Sequence, residues 1–452
     1  MNPPFERKLN LTKNNTMKRI LVLCICFVAV LGAKAQGVLT LEQAIGKAME
    51  SNLGIQVYQL QEEAFAKDVH AGKAGLLPKV DAVAGGNYSS STADIQFAGG
   101  IPPLDNANAT TFGYNAGVQL SFTLFDGLGS FRLYDKLKTQ EDINSLQTKV
   151  NIESLLMQVI SSYHDVLRNQ EQVEILTAML ALSQERLTKA ENNYEFGAVG
   201  KIEVLNAQVD FNNDQANLLT QQENLKAAKR QLNFLLGQSP SQELKVENEV
   251  LIVNPALEQA DSIKQRVMKN NSALVLSQLN LDVAELDRKM AYSVYAPRIG
   301  LSGSYGLNYT ENTASVLLKS NSLGFTGAVS LTWNLFNGNQ NRKALEKSKL
   351  LIEANELKKQ EAELNVEKEY LNLLGSLNAS YQLIQLESSN IEAAELNLEK
   401  SKELYFNGTI NNLAFRQAQV NLLMAQSRLN SLKYQFKLQE YQLKRLANRL
   451  IL

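Results

Sequence analysis

The 452-residue chain sets 45 Lys and Arg against 46 Asp and Glu, a formal net charge of −1, which excludes a polycationic nucleic-acid binder. Eight prolines and an abundance of Leu, Gln, Asn, Glu, Lys and Ala favour long helices. Both cysteines, Cys24 and Cys26, lie near the start, so a disulfide scaffold or Cys metal site further along is excluded.

Lys18 and Arg19 precede the apolar run Ile20 to Leu31, and Ala33-Lys34-Ala35 follows as a small-x-small cleavage site. This pattern predicts a secretory signal peptide over residues 1–35, with Gln36 starting the mature chain. The apolar run has about 12 residues, short of the ~20 of a membrane-spanning helix. Residues 1–16 have no signal character, so Met17 is an alternative start to Met1. Neither cysteine follows a small residue as a lipidation site would require. Losing Glu6 together with Arg7, Lys8, Lys13, Lys18, Arg19 and Lys34 takes the charge from −1 to about −6.

Residues 36–50 match neither strand nor long helix, although Thr40 with Gln43 forms a capping box. A helical pattern over about 52–76 closes at Pro78. Strands are predicted at about 78–90 and 112–125, separated by a loop over 89–111. In the second strand Phe112, Tyr114, Ala116, Val118, Leu120, Phe122 and Leu124 alternate with Gly, Asn, Gln, Ser and Thr. Helices follow at about 128–196 and 201–236. The latter carries two apolar stripes, Ile202, Leu205, Val209, Ala216, Leu219 and Val204, Phe211, Leu218, Leu225, Leu232. Two stripes imply two neighbours.

After a linker over 238–270, expected to pack as a belt with 36–50, the plan repeats. A helix over 271–295 closes at Pro297; strands at about 297–309 and 323–336 flank a loop over 310–322; helices follow at 339–406 and 410–450. "VQLSFTLFDG" from Val118 parallels "VSLTWNLFNG" from Val329, and "YEFGAVGKIEVLNAQV" from Tyr194 parallels "YFNGTINNLAFRQAQV" from Tyr405. The segments from Asn52 and Asn271 are a third pair. Ordered, matched landmarks predict an internal twofold repeat, 36–237 and 271–452.

Each predicted strand is long enough to cross a bilayer when tilted. Aromatics gather at the strand ends: Tyr88, Phe112 and Tyr114 at one, Phe122, Phe125, Trp333 and Phe336 at the other, as in an interfacial girdle. A helix over 128–196 would be about 100 Å long, too long for a compact domain. The helix at 52–76, about 37 Å, stacked on the end of 201–236, about 54 Å, would match that length. Ala418, Leu422, Ala425, Leu429, Leu432, Phe436, Gln439, Leu443, Leu446 and Leu450 keep a coiled-coil rhythm. Four strands cannot close a barrel, and open edges in lipid are costly. The expected fold class is therefore a mixed α and β membrane protein. Its four transmembrane strands per chain would join a trimeric barrel of about 12 strands, continued by a long antiparallel α-helical coiled-coil barrel.

These motifs resemble the TolC family of outer membrane efflux proteins. "LTLEQAIGKAMESN" from Leu39, the "LFDG" and "LFNG" junctions and the "YxxG" breaks at Tyr194 and Tyr405 carry the resemblance across the mature chain. It implies a homotrimeric channel-tunnel in the outer membrane, extending into the periplasm. A periplasmic adaptor and an inner-membrane transporter would be its partners, outer membrane lipid its surroundings, and no nucleic acid or cofactor would be involved. Gly197, Ala198, Val199 and Gly200, with Gly408, Thr409 and Ile410, would be the periplasmic tips that meet the adaptor. The family's gate arginine and aspartates correspond to Ile410, Ala414 and Gln417, so the acidic ring is not reproduced. Glu203, Asn206 and Gln417 become the constriction candidates, with Lys201 and Arg416 nearby and Glu203 expected to supply the charge.

No catalytic constellation emerges. His70 and His164 stand apart on helices without metal-ligand spacing, no phosphate-cradling loop or nucleophile elbow occurs, and the carboxylates scatter along helical faces, read as solvated. "SGSYG" at Ser302 is strand glycine. The alternative to a channel is an exported helical rod serving as spacer or adhesin; a channel for protein secretion is a third reading.

Overall fold

The computed structural model describes residues 38–100, 102–247 and 260–450; the expected signal peptide lies outside them, as do residues 248–259 of the 238–270 linker. In chain order the elements are α1 (Leu41–Ser51), α2 (Leu53–Ala66), β1 (Lys79–Ile95), β2 (Leu104–Phe125), α3 (Gly129–Glu195) and α4 (Lys201–Leu235). There follow α5 (Ala260–Asn270), α6 (Ser272–Ser293), β3 (Arg298–Asn312), β4 (Lys319–Thr332), α7 (Gln340–Phe406) and α8 (Asn412–Leu446). Helices α3 and α7 have 67 residues each and α4 and α8 have 35 each.

The described residues fall into two compact units, those within 1–53, 156–254 and 379–438 in one and those within 54–155, 255–378 and 439–452 in the other. In the first, the Thr40 capping box is present in full and starts α1. Leu39 makes a parallel bridge to Val246, and buried Asn52 donates from Nδ2 to the Leu235 carbonyl at 2.7 Å where α4 ends. Tyr163 and His164 of α3 are buried here, the His164 ring edge-on to Tyr434.

The second unit holds the antiparallel sheet, in the order β1-β2-β3-β4. Paired residues share a face. Val80, Leu120, Gly303 and Gly327 lie in one cross-strand row and Val118, Tyr305 and Phe325 in another. This apolar face is exposed at Val118, Tyr305, Phe325, Val329 and Leu331. Rows such as Gln119, Ser304 and Thr326 make the opposite face polar. A cluster of Val267, Val366, Tyr370, Leu443, Leu446 and Ala447 forms a small core elsewhere in this unit.

Several expected limits move. Strand β1 reaches Ile95 and β2 begins at Leu104, so most of the expected 89–111 loop is strand; β3 likewise reaches Asn312 and β4 begins at Lys319. These extensions are mostly Ser, Thr, Asn and Ala with a few charged residues, which pair through the backbone without apolar alternation to reveal them. Strand β4 stops at Thr332, not 336, because Thr332 pairs with Arg298 and the preceding Pro297 has no N–H to continue the ladder. Trp333 and Phe336 of the expected girdle therefore lie beyond the strand, with Trp333 Nε1 donating to the Tyr295 carbonyl at 3.0 Å. Phe122 and Phe125 remain within β2.

Helix α2 ends at Ala66, ten residues before the expected limit of 76. A local network takes over: Lys73 pairs with Asp68 at 2.8 Å, the Lys73 N–H donates to His70 Nδ1, and Gly75 turns through φ +78°. These bonds compete with helix continuation.

Candidate functional site

The strand-to-helix junctions explain why one ten-residue pattern occurs twice. Gly127 and Leu128 have φ of +71° and +69°, and Gly338 and Asn339 have +67° and +66°. Two successive left-handed residues turn each strand into its long helix. Leu128 pays a cost of roughly 1–2 kcal/mol for that conformation. Asp126 Oδ2 accepts from the Ser130 N–H at 2.8 Å and from its hydroxyl at 2.6 Å, capping α3. Asn337 Oδ1 accepts from the Asn341 N–H at 3.4 Å in the matching place. A Cβ at Gly127 would collide with the Ser293 carbonyl.

The two helix breaks lie in the first unit and share a geometry. Gly197 (φ +71°) ends α3 while Ala198 N–H donates to Asn193 O at 2.8 Å; Gly408 (φ +73°) ends α7 while Thr409 N–H donates to Leu404 O at 2.8 Å. These are left-handed C-caps of Schellman type. The restarts differ. Gly200 begins α4 with no side-chain cap, whereas Asn411 Oδ1 accepts from the Ala414 N–H at 2.9 Å. The break residues Gly197, Ala198, Gly200, Gly408 and Thr409 are exposed, Val199 and Ile410 partly so.

Among the constriction candidates, Asn206 and Gln417 are exposed and Glu203 is half-buried. Gln417 donates to Asn421 at 2.8 Å on its own helix. Glu203 acts electrostatically on Tyr405, whose phenol is raised above its ordinary value first by burial, with Glu203 adding and Arg186 opposing. Tyr405 stacks on buried Phe415 at 5.1 Å between ring centres.

Sequence reasoning missed a buried charged network just behind these breaks. Arg416 of α8 grips Asp214 of α4 through Nη1 and Nη2, each at 2.7 Å. Asp214 also accepts from the Ser183 hydroxyl, to which Gln419 donates at 3.3 Å. Arg186, 0% exposed, donates to Asp210 at 2.6 Å, and its Nε and Nη1 have no hydrogen-bond partner among the described residues. Burial pushes the Arg186 guanidinium down, Asp210 opposing. Burial acts the same way on Arg416, but Asp214 and Asp210 outweigh it and hold Arg416 above its usual value. The default reading of the scattered carboxylates as solvated does not hold at Asp214 or at buried Glu153. The signal was available: Asp214 stands in the rhythm Ala207, Phe211, Asp214, Leu218, a polar residue at a packed heptad position.

The chain combines very long helices with a four-stranded antiparallel sheet whose apolar face is exposed. The chain belongs to the outer membrane efflux protein family, whose model matches residues 44–238 and 264–449. It is 22% identical over 434 residues to outer membrane protein TolC of Vibrio cholerae serotype O1, covering 95% of each chain. It is 23% identical over 412 residues to the alkaline protease secretion protein AprF of Pseudomonas aeruginosa, covering 86% of this chain and 80% of that one. The structure of the outer-membrane channel OprN matches its fold with a TM-score of 0.72 at 17% identity, covering 90% of this chain and 89% of the other.

Proposed function

We propose that the protein is the outer membrane channel-tunnel of a tripartite efflux or type I secretion system, passing substrates from an inner-membrane pump and periplasmic adaptor to the exterior. The observation that carries this is the sheet. Its edges, β1 and β4, have no second strand partner among the described residues, and one face is apolar and exposed. In lipid each unsatisfied backbone group costs several kcal/mol, so closure with further copies is required. Four strands per chain make three copies a barrel of twelve.

The helices support the same assembly. On α4 one stripe packs, with Leu218 and Leu232 buried, while Ile202, Leu205, Val209 and Leu219 stay exposed for a neighbouring chain. On α7, Leu350, Leu357, Leu364 and Leu371 form an exposed heptad row. The equal helix lengths and paired left-handed junctions favour an internal duplication, 36–237 and 271–452 about a 238–270 linker, giving twelve helical positions in a trimeric tube.

The breaks at Gly197–Gly200 and Gly408–Ile410 would be the periplasmic tips that meet the adaptor, where exposed Phe196 adds an apolar contact. Glu203, with Asn206 and Gln417, would line the constriction. The relatives' names include both TolC and a protease secretion protein, so the cargo follows the pump.

The test is purification from outer membranes in detergent, where a heat-sensitive trimer that forms pores in planar bilayers is expected. A monomer that stays soluble without detergent would refute the reading. Glu203→Ala should change single-channel conductance and cation block; unchanged values would reassign the constriction.

A further inference from the structure

At the helix-proximal end of the sheet, the polar face opens onto a cavity of about 970 Å³ whose lining includes Arg298, Lys79, His70, Thr123, Ser330 and Thr332. The two strand-borne bases occupy matching places: Lys79 follows Pro78 and opens β1, and Arg298 follows Pro297 and opens β3. The register puts both on the polar face. Lys79 pairs with Ser121, which pairs with Ser302; Thr123 pairs with Gly300, which pairs with Ser330; Arg298 pairs with Thr332.

The two cations are not equivalent. Lys79 is neutralised by Asp81 at 3.0 Å. Arg298 is exposed, and among the described residues no carboxylate pairs with it; Nη2 donates to the Thr123 hydroxyl at 3.0 Å, which fixes the plane of the fork. The remaining guanidinium donors are left for a ligand. Around them the Ser330 and Ser302 hydroxyls make only long 3.5 Å bonds to backbone carbonyls and can be recruited.

A planar cation with hydroxyl donors matches the oxygens of a carboxylate, phosphate or sulfate. We propose that Arg298, oriented by Thr123 and flanked by Ser330 and Thr332, is an oxyanion-binding site that favours anionic cargo at the entrance to the strand-lined part of the channel. This rests on the reading of the polar face as the lumen wall. A trimer would then present three such forks in one ring.

The test uses the full-length wild-type trimer in planar bilayers at low ionic strength, where screening is weak. Reversal potentials are read in a KCl gradient, and conductance is read during titration with inorganic phosphate. Wild type should be blocked by phosphate. Arg298→Gln should shift the anion-to-cation permeability ratio about tenfold toward cations, because one unit charge sensed through water at roughly 6 Å acts about threefold on each ion in opposite directions. It should also weaken the phosphate block about tenfold. Arg298→Lys should keep the permeability ratio but not the block, because the fork is lost. Removing the neutral pair together, Lys79→Gln with Asp81→Asn, should change little.

A wild-type pore indifferent to phosphate would overturn the proposal while leaving the channel reading intact. So would an Arg298→Gln pore with unchanged selectivity and block. A wild-type protein that forms no pore would overturn both.

Discussion

The side-chain amide of Asn271 donates a 3.0 Å hydrogen bond to the backbone carbonyl of Leu446. Its Oδ1 at the same time accepts from the Ala273 N–H at 2.9 Å, so one buried asparagine caps the start of α6 and satisfies the end of α8. Asn52 does the corresponding task for Leu235 in the other unit. Asn271→Ala and Asn52→Ala should each lower stability by about 1–2 kcal/mol, since a buried carbonyl loses its donor and, at Asn271, a helix loses its cap. Thermal unfolding in detergent measures this; an unchanged midpoint would count against it.

Arg416→Met should cost about 3–5 kcal/mol, because Asp214 would stay buried with its charge uncompensated. The double variant Arg416→Met with Asp214→Leu should recover most of that loss. Arg186→Met should be milder, since among the described residues that guanidinium bonds Asp210 through one nitrogen and leaves Nε and Nη1 without a partner. Hydrogen exchange and protease cleavage at residues 196–200 and 407–411 provide the readout.

Glu153 supplies a pH signature. Burial raises its carboxyl above the ordinary value, against the pull of Lys149 and Arg445. The folded state therefore holds this proton to a higher pH than the unfolded chain does. Stability falls as pH rises from the unfolded carboxylate range, near 4.3, through the raised folded value. Glu153→Gln should remove that loss, raising the unfolding temperature at pH 7 while leaving it nearly unchanged at about pH 4. A variant less stable at pH 7 would contradict this.

Gly117 and Gly306 face each other across β2 and β3, and a Cβ on Gly117 would come within 2.6 Å of the Tyr305 carbonyl oxygen. A Cβ on Gly306 would meet the Ala116 carbonyl at the same distance. Backbone cannot rotate away as a side chain can, so Gly117→Ala or Gly306→Ala should cost about 1–3 kcal/mol in heat stability. Gly324→Ala, with nothing within 4 Å of its Cβ, is the matched control.

The elements readable in advance were those specified by local chemistry. Asx-Gly at Asp126–Gly127 and Asn337–Gly338 demands a left-handed turn, and Gly197 and Gly408 demand a C-cap, whatever surrounds them. The strand limits were less legible because the Ser, Thr and Asn of 89–111 have no face to bury. The Arg416–Asp214 network was hidden for another reason: its members come from α3, α4 and α8, separated by up to 236 residues.

The sequence by itself determined the long helices, the alternating strands and the doubled landmarks, because periodicity and turn chemistry act over a few neighbouring residues. Only the tertiary structure decided which polar side chains are buried. It also set where β4 stops against Pro297 and placed Arg298 beside Thr123 without a carboxylate. Those depend on which distant segments share a register, and pairing across strands and helices is a property of the packed chain rather than of any local stretch.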